Sequence, residues 1–205
     1  EGGEGVGKST NLAAIAALLR TGGDEVVITR EPGGTPYAEE LRALLLSPRA
    51  EAVMPSAELL TLFAARAQHW HGLILPALQR GAWVLSDRFV DATYAYQGAG
   101  RGLAVADIAA LEHWLLQGQQ PGLTLLLDMP VADGMARARA RAALDRFESE
   151  QLEFFERVRA GYLARAAADP ERIRQIDAGQ SLLAVQADVL QAVRAYQAAI
   201  GEARS

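Results

Sequence analysis

The sequence contains no cysteine, which excludes a disulfide framework and a zinc site built on thiolates, and fits a cytoplasmic setting. It has no apolar run near the length needed to span a bilayer and shows no charged-then-apolar leader, so neither a membrane partner nor a secretory route is expected. Broad basic character is missing as well. The formal net charge is −5, which argues against a nucleic-acid partner, because such affinity rests on a wide cationic surface. Any phosphate chemistry must therefore use arginines gathered locally. No fixed-period repeat and no long linker divides the chain, and 205 residues, 50% of them hydrophobic, suffice for one sizeable core. One α/β domain is the natural reading.

What is present begins at the first residues. Gly2-Gly3-Glu4-Gly5-Val6-Gly7-Lys8-Ser9-Thr10 fits the pattern G-x-x-x-x-G-K-[ST] at every fixed position. Glycines let backbone N–H groups close around a phosphate chain, Lys8 adds a mobile positive charge, and Ser9 offers a hydroxyl to Mg²⁺. A helix expected over 11–20 brings its positive N-terminal end to the same anions. Such a loop is ordinarily fed by a buried strand, so an N-terminal strand is expected ahead of residue 1, in the centre of the sheet. The motif alone leaves kinases, GTPases, motors and sulfate-transferring enzymes open.

Strands are expected at 25–29, 82–86, 123–128 and 174–177, bounded by glycine and proline. Helices are expected at 37–46, 56–78, 105–116, from 131, at 150–168 and at 182–200. The last but one turns Leu152, Phe155, Val158 and Tyr162 inward. This βα order predicts a P-loop-type parallel sheet of about five strands with helices on both faces. Ligands of such sheets bind at the carboxyl ends of strands, which is where Asp87 and Arg88 fall. There an aspartate serves Mg²⁺ and an arginine meets phosphate. The polar, aromatic stretch at 91–98 supplies amide and hydroxyl groups able to read a base or sugar.

Arginine placement carries further information. Arg42 reads, on its own segment, as a solvated helix residue. Arg66 shares an apolar face with Leu59, Phe63 and Trp70, and a charge there needs a partner. It is either salt-bridged beside core aromatics or part of a pocket where a ring stacks on Phe63 and the guanidinium meets carbonyl oxygens. Arg137 and Arg141 lie four apart on one helical face while Arg139 points elsewhere. Like charges at that spacing repel unless an anion lies between them, so Arg141 and, beyond it, Arg146 are expected to contact phosphate.

Several separated motifs together resemble the bacterial thymidylate kinase family of P-loop nucleoside monophosphate kinases: 1–10, Thr29-Arg-Glu-Pro-Gly-Gly-Thr35, Phe63-Ala-Ala-Arg66, Asp87-Arg88 with Ala95-Tyr-Gln-Gly98, and Leu144-Asp-Arg-Phe-Glu148. The resemblance covers essentially the whole chain. It implies transfer of the γ-phosphoryl group of ATP to dTMP, giving dTDP and ADP for dTTP synthesis, with Mg²⁺ and in a homodimer. By the same resemblance, the loop residues Gly2 to Thr10 with Arg137 and Arg141 hold ATP, and Ser9 and Asp87 hold the metal. Arg42 and Arg88 grip the dTMP phosphate, Glu4 approaches the sugar, Tyr96 lies against the deoxyribose, and Arg66, Thr93 and Gln97 read the thymine edge. Lys8, Glu4, Asp87, Arg141 and Arg146 are the expected catalytic set. The loop offers no arginine, which implies the subfamily whose catalytic arginine sits in a mobile lid, here about 137–150. The base-stacking phenylalanine usually lies four residues before the base-reading arginine. That position is Leu62, with Phe63 three before, so the stacking partner is one of these two.

Rival readings are another nucleoside monophosphate kinase, a deoxynucleoside kinase, or a regulatory nucleotide switch. The last is disfavoured by the missing guanine-reading Asn-Lys-x-Asp sequence.

Overall fold

A computed structural model describes residues 1–141, 146–147 and 150–202. Four short strands form two parallel pairs: β1 (Val26–Arg30) with β2 (Trp83–Asp87), and β3 (Thr124–Asp128) with β4 (Ile173–Asp177). The run Thr-Leu-Leu-Leu forms a largely buried strand, whereas Val-Val-Ile-Thr, also expected to be buried, buries only Thr29 and leaves Ile28 44% exposed. Registers Arg30 to Asp87 and Asp128 to Asp177 bring the strands of each pair to a common carboxyl end. The sheet was expected to hold about five strands, and four are present among the described residues. The start of the chain adds only one parallel bridge, Gly2 to Leu127 on β3, where Gly2 at φ 130° already leaves strand geometry.

Helix α1 (Lys8–Thr21) starts inside the loop, three residues before the expected start, because Gly7 takes a left-handed conformation, φ 89°, that turns loop directly into helix. Its Ile15 and Leu19 pack with Val6, Leu127, Ile176 and the Val185, Val189, Val193 stripe of α9 (Leu182–Glu202). Helix α2 (Pro36–Leu46) is capped by Thr35, whose hydroxyl accepts from the Ala38 N–H, with Pro36 at its first position.

The expected helix over 56–78 is α3 (Pro55–His69), a π-helical turn at Trp70–Ile74, and α4 (Leu75–Gln79). The stretch after β2 is also helical: α5 (Val90–Thr93) runs into a π-helical segment, Tyr94–Gly100, ahead of α6 (Val105–Leu116). Small residues allow this segment to lie hard against α8 (Leu152–Ala168). A methyl group on Gly100 would collide with Phe154, and one on Gly161 with Ala99. Helix α7 (Val131–Arg141) follows β3. On α8 the inward set needs correction: Phe155, Val158 and Tyr162 are buried, but Leu152 is 49% exposed and Phe154 takes the inner place. Leu152 is the first residue of the helix and extends past its packed face.

Candidate functional site

The loop, the carboxyl ends of β1 and β2, and the inner sides of α2, α3 and the π-helical segment enclose a cavity of about 660 Å³, within the range of small-ligand sites. Glu4 to Ser9 line one end; Arg42, Arg66, Asp87, Arg88, Thr93, Tyr96 and Gln97 line the rest, with Leu62, Phe89 and Phe147 as its apolar wall. Separate elements thus converge on one space.

Lys8, the only lysine of the chain, donates to the carbonyls of Gly3 at 2.6 Å and Gly2 at 3.2 Å. Burial first, and then the charge of Arg88, pull its amine from 10.5 down to about 8, against the opposing charges of Glu4 and Asp87. Asp87 ends β2 with its Oδ1 buried and without a hydrogen-bond partner. Arg88 follows at φ 71°, an uncommon conformation for a residue with a side chain. Its Nη2 lies 2.7 Å from Glu4 Oε1, its Nη1 donates to the Tyr162 hydroxyl at 3.3 Å, and its guanidinium stands 4.7 Å over the Tyr96 ring. Tyr96 also donates to Glu4 Oε1, at 2.6 Å. For Glu4, burial alone raises the carboxyl pKa, but Arg88, Lys8 and these hydrogen bonds prevail and bring it from 4.5 to about 2.

Deeper in, Arg66 is 3% exposed. Its Nε donates to Glu31 Oε2 at 2.7 Å and its Nη2 to Thr93 Oγ1 at 3.0 Å, while Nη1 is buried with no partner. Glu31 is itself held by His69 Nδ1 at 3.0 Å, and His69 Nε2 meets Thr29 Oγ1 at 2.6 Å. Gln97 donates its amide to Glu58 at 2.9 Å. Arg42 donates to the Pro32 carbonyl at 2.8 Å.

The profile of the family described as thymidylate kinase matches residues 1–189. The chain belongs to the thymidylate kinase family. It is similar to the thymidylate kinase of Teredinibacter turnerae, 61% identical over 197 residues, covering 96% of each chain. It is 59% identical over 195 residues to that of Hahella chejuensis, covering 95% of this chain and 94% of the relative. Against the Pseudomonas putida GB-1 protein it is 59% identical over 189 residues, covering 92% and 90%. The protein is accordingly a kinase with a P-loop fold.

Within this kinase the expected site residues divide. Glu4, Gly5, Val6, Gly7, Lys8, Ser9, Arg42, Arg66, Asp87, Arg88, Thr93, Tyr96 and Gln97 share the cavity wall; Gly2, Gly3 and Thr10 are not among its lining residues. Between the two candidates for the stacking position, Leu62 lines the cavity. Phe63 sits in the core with Leu59 and Trp70, behind the Arg66 guanidinium, 4.8 Å from its ring centre. One position along a helix turns a side chain by about 100°, enough to move it from pocket to core.

Arg137 donates to the Ala178 carbonyl at 3.3 Å beyond β4. Arg141 ends α7, and its side chain lies outside the described residues. Much of the expected lid, 142–145 and 148–149, lies outside them too. Arg146, expected at phosphate, is held here by protein groups: its Nε donates to the Leu45 carbonyl and its Nη2 to Glu58 Oε2, each at 2.6 Å. Glu58 is fully buried, and a buried carboxylate left without a cation is costly, a cost that the guanidinium offsets.

Residues not singled out in the sequence also serve the site. Glu31 lay in a recognised motif without a role. Tyr162 reads as core from its helical spacing, yet its hydroxyl donates to Glu1 Oε2 at 2.9 Å and accepts from Arg88. Glu58 carried one signal: it is an acid in register with the buried Leu62, Ala65 and His69 of the same helix.

Proposed function

We propose that this kinase transfers the γ-phosphoryl group of ATP to dTMP in the cavity, the loop holding the donor and the Arg66, Thr93, Gln97 end holding the base. The observation that carries this reading is the Arg66 guanidinium. Two of its nitrogens are fixed by Glu31 and Thr93, and the third, Nη1, is buried and unpartnered beside the cavity. A buried donor without a partner costs about 1–3 kcal/mol, a cost removed when a carbonyl oxygen of a pyrimidine accepts from it.

Around the phosphates, Lys8 leaves the Gly2 and Gly3 carbonyls for the donor's phosphate oxygens. The loop N–H groups and the start of α1 face the same anion. Arg42 and Arg88 meet the acceptor phosphate, and Glu4, anchored by Arg88 and Tyr96, faces the sugar. In-line transfer then depends on bringing the acceptor oxygen to the γ-phosphorus in a site that excludes water. Arg141, arriving with the lid, is the proposed charge on the transferring group.

Mg²⁺ fits the oxygen donors at hand. Asp87 Oδ1 is buried without a partner, and Ser9 shares the same wall, a pairing that suits a hard cation retaining several waters. When bound, the ion neutralises charge on the phosphate oxygens. A homodimer is part of the same proposal. Leu44 on α2, Leu60 on α3 and Trp114 on α6 are exposed and give apolar area for a second copy. Among the described residues no helix is long and apolar enough to cross a membrane.

An ADP-release assay with dTMP, dUMP, dCMP and thymidine tests the reading. Turnover is expected to be highest with dTMP and weak with dCMP and thymidine. Equal turnover of dCMP and dTMP would overturn the base assignment.

A further inference from the structure

Glu58 of α3 is fully buried, yet it belongs to no part of the phosphate chemistry. Both of its oxygens are taken. Oε1 accepts from Gln97 Nε2 at 2.9 Å and Arg101 Nε at 3.2 Å; Oε2 accepts from Arg146 Nη2 at 2.6 Å and Arg101 Nη2 at 3.4 Å. A carboxylate clasped by two guanidinium groups offers acceptors only. The Gln97 atom facing it must therefore be the amide nitrogen. Shape alone does not orient a carboxamide, whose two ends are nearly the same size, but this partner does.

With its nitrogen committed to Glu58, Gln97 has its carbonyl oxygen left for the cavity it lines. A carbonyl at that place accepts from a ring N–H and repels a ring nitrogen lone pair. Thymine and uracil carry N3–H; cytosine carries a lone pair at N3. We propose that Glu58 is a specificity-determining positioning residue, which selects bases with a ring N–H by holding the Gln97 carboxamide in one orientation. This rests on the reading that the Arg66, Thr93 and Gln97 end of the cavity takes a pyrimidine. Glu58 is not a catalytic residue, since it acts through Gln97. The same carboxylate ties down Arg146, whose guanidinium stands 4.4 Å from the ring centre of Phe147 in the cavity wall.

The test compares kcat/KM for dTMP and dCMP in the wild type, Glu58→Gln and Arg101→Ala. Glu58→Gln can turn an amide N–H toward Gln97 and permit the reversed carboxamide, so the dTMP-over-dCMP ratio is expected to fall about tenfold or more. Arg101→Ala removes a charge partner of Glu58 while leaving the acceptor for Gln97, and is expected to cost stability and keep the ratio. An unchanged ratio in Glu58→Gln, or an equal fall in Arg101→Ala, overturns the inference while leaving the base reading standing. A wild type that does not discriminate between the two nucleotides overturns the base reading itself. If Glu58→Gln proves unfolded or inactive, the native protein decides. The Gln97 side-chain amide protons are expected to be protected from solvent exchange in ¹⁵N spectra without ligand, and free exchange overturns the inference.

Discussion

Gly5 of the phosphate loop and Gly134 of α7 meet backbone to backbone: a methyl group on Gly5 would collide with the Gly134 carbonyl, and one on Gly134 with the Glu4 carbonyl. The loop and the first turns of α7, up to Ala138, are therefore in direct contact, and small displacements of either are felt by the other. Close-packed contacts transmit strain in this way because they have no void to absorb it.

This contact gives a test with an unusual sign. Inside a helix, glycine to alanine ordinarily stabilises, by about 1 kcal/mol. Gly134→Ala is instead expected to destabilise by about 1–3 kcal/mol through overpacking and to raise the KM for ATP, read from denaturant midpoints and initial rates. A stabilised, fully active variant would show that loop and helix are free to separate.

Lys8 supplies a pH dependence that can be seen directly. Its amine is pulled down to about 8 by burial and by Arg88, so in the free enzyme it loses its proton as pH rises through that value. Bound triphosphate favours the charged form and moves the loss upward. The ratio kcat/KM for ATP is therefore expected to fall above about pH 8 while kcat holds to higher pH. Because the chain has one lysine, reductive ¹³C-methylation gives a single side-chain amine signal whose titration checks the assignment. A midpoint near 10.5, the ordinary value, would count against it.

Glu4 works in the opposite direction. Its folded pKa, about 2, lies below the ordinary 4.5, so the native state is favoured above pH 4.5 and that contribution is lost as pH falls toward 2. The shift corresponds to about 3 kcal/mol before allowance for partial solvent access. The stability gap between wild type and Glu4→Gln, measured by urea unfolding, is expected to be widest near neutrality and to close between pH 4.5 and 2. A gap independent of pH would mean that Glu4 acts by shape alone.

How far the site was legible from sequence follows from what each residue does. Lys8, Ser9, Asp87 and Arg88 lie beside a glycine loop or at a strand end, where local sequence dictates position, and all four line the cavity. Arg66 was open between salt bridge and ligand reader; the structure pairs it with Glu31 through Nε and leaves Nη1 buried without a partner, which is compatible with either. Phe63 and Leu62 differ by one helical step, which motif spacing does not resolve. Glu58 and Tyr162 draw their roles from partners far away along the chain, 39 residues for Glu58 to Gln97 and 161 for Tyr162 to Glu1. No local pattern encodes such pairings. The strand interiors were legible within a residue or two, whereas the π-helical segment depends on α8 packing against its small residues.

The arginines after residue 136 allow the sharpest separation of roles. Arg146 is bound to Glu58 and to the Leu45 carbonyl, contacts that fasten one end of this segment to α2 and α3. Its loss takes one cation from a buried carboxylate still held by Arg101 and Gln97, so Arg146→Ala is expected to lower stability by roughly 1–3 kcal/mol, seen as a lower denaturant midpoint. Turnover by the folded fraction should fall only modestly. Arg141→Ala, if that residue delivers charge to the transferring phosphoryl group, is expected to leave the midpoint in place and reduce kcat by roughly 10² or more with little change in the KM for dTMP. Arg139 is exposed on α7, and Arg139→Ala is the control expected to be nearly silent in both. Should Arg146→Ala cripple kcat at unchanged stability, the buried pair seen here would be a resting arrangement that breaks on the way to the transition state, and the catalytic charge would belong to Arg146 and not to Arg141.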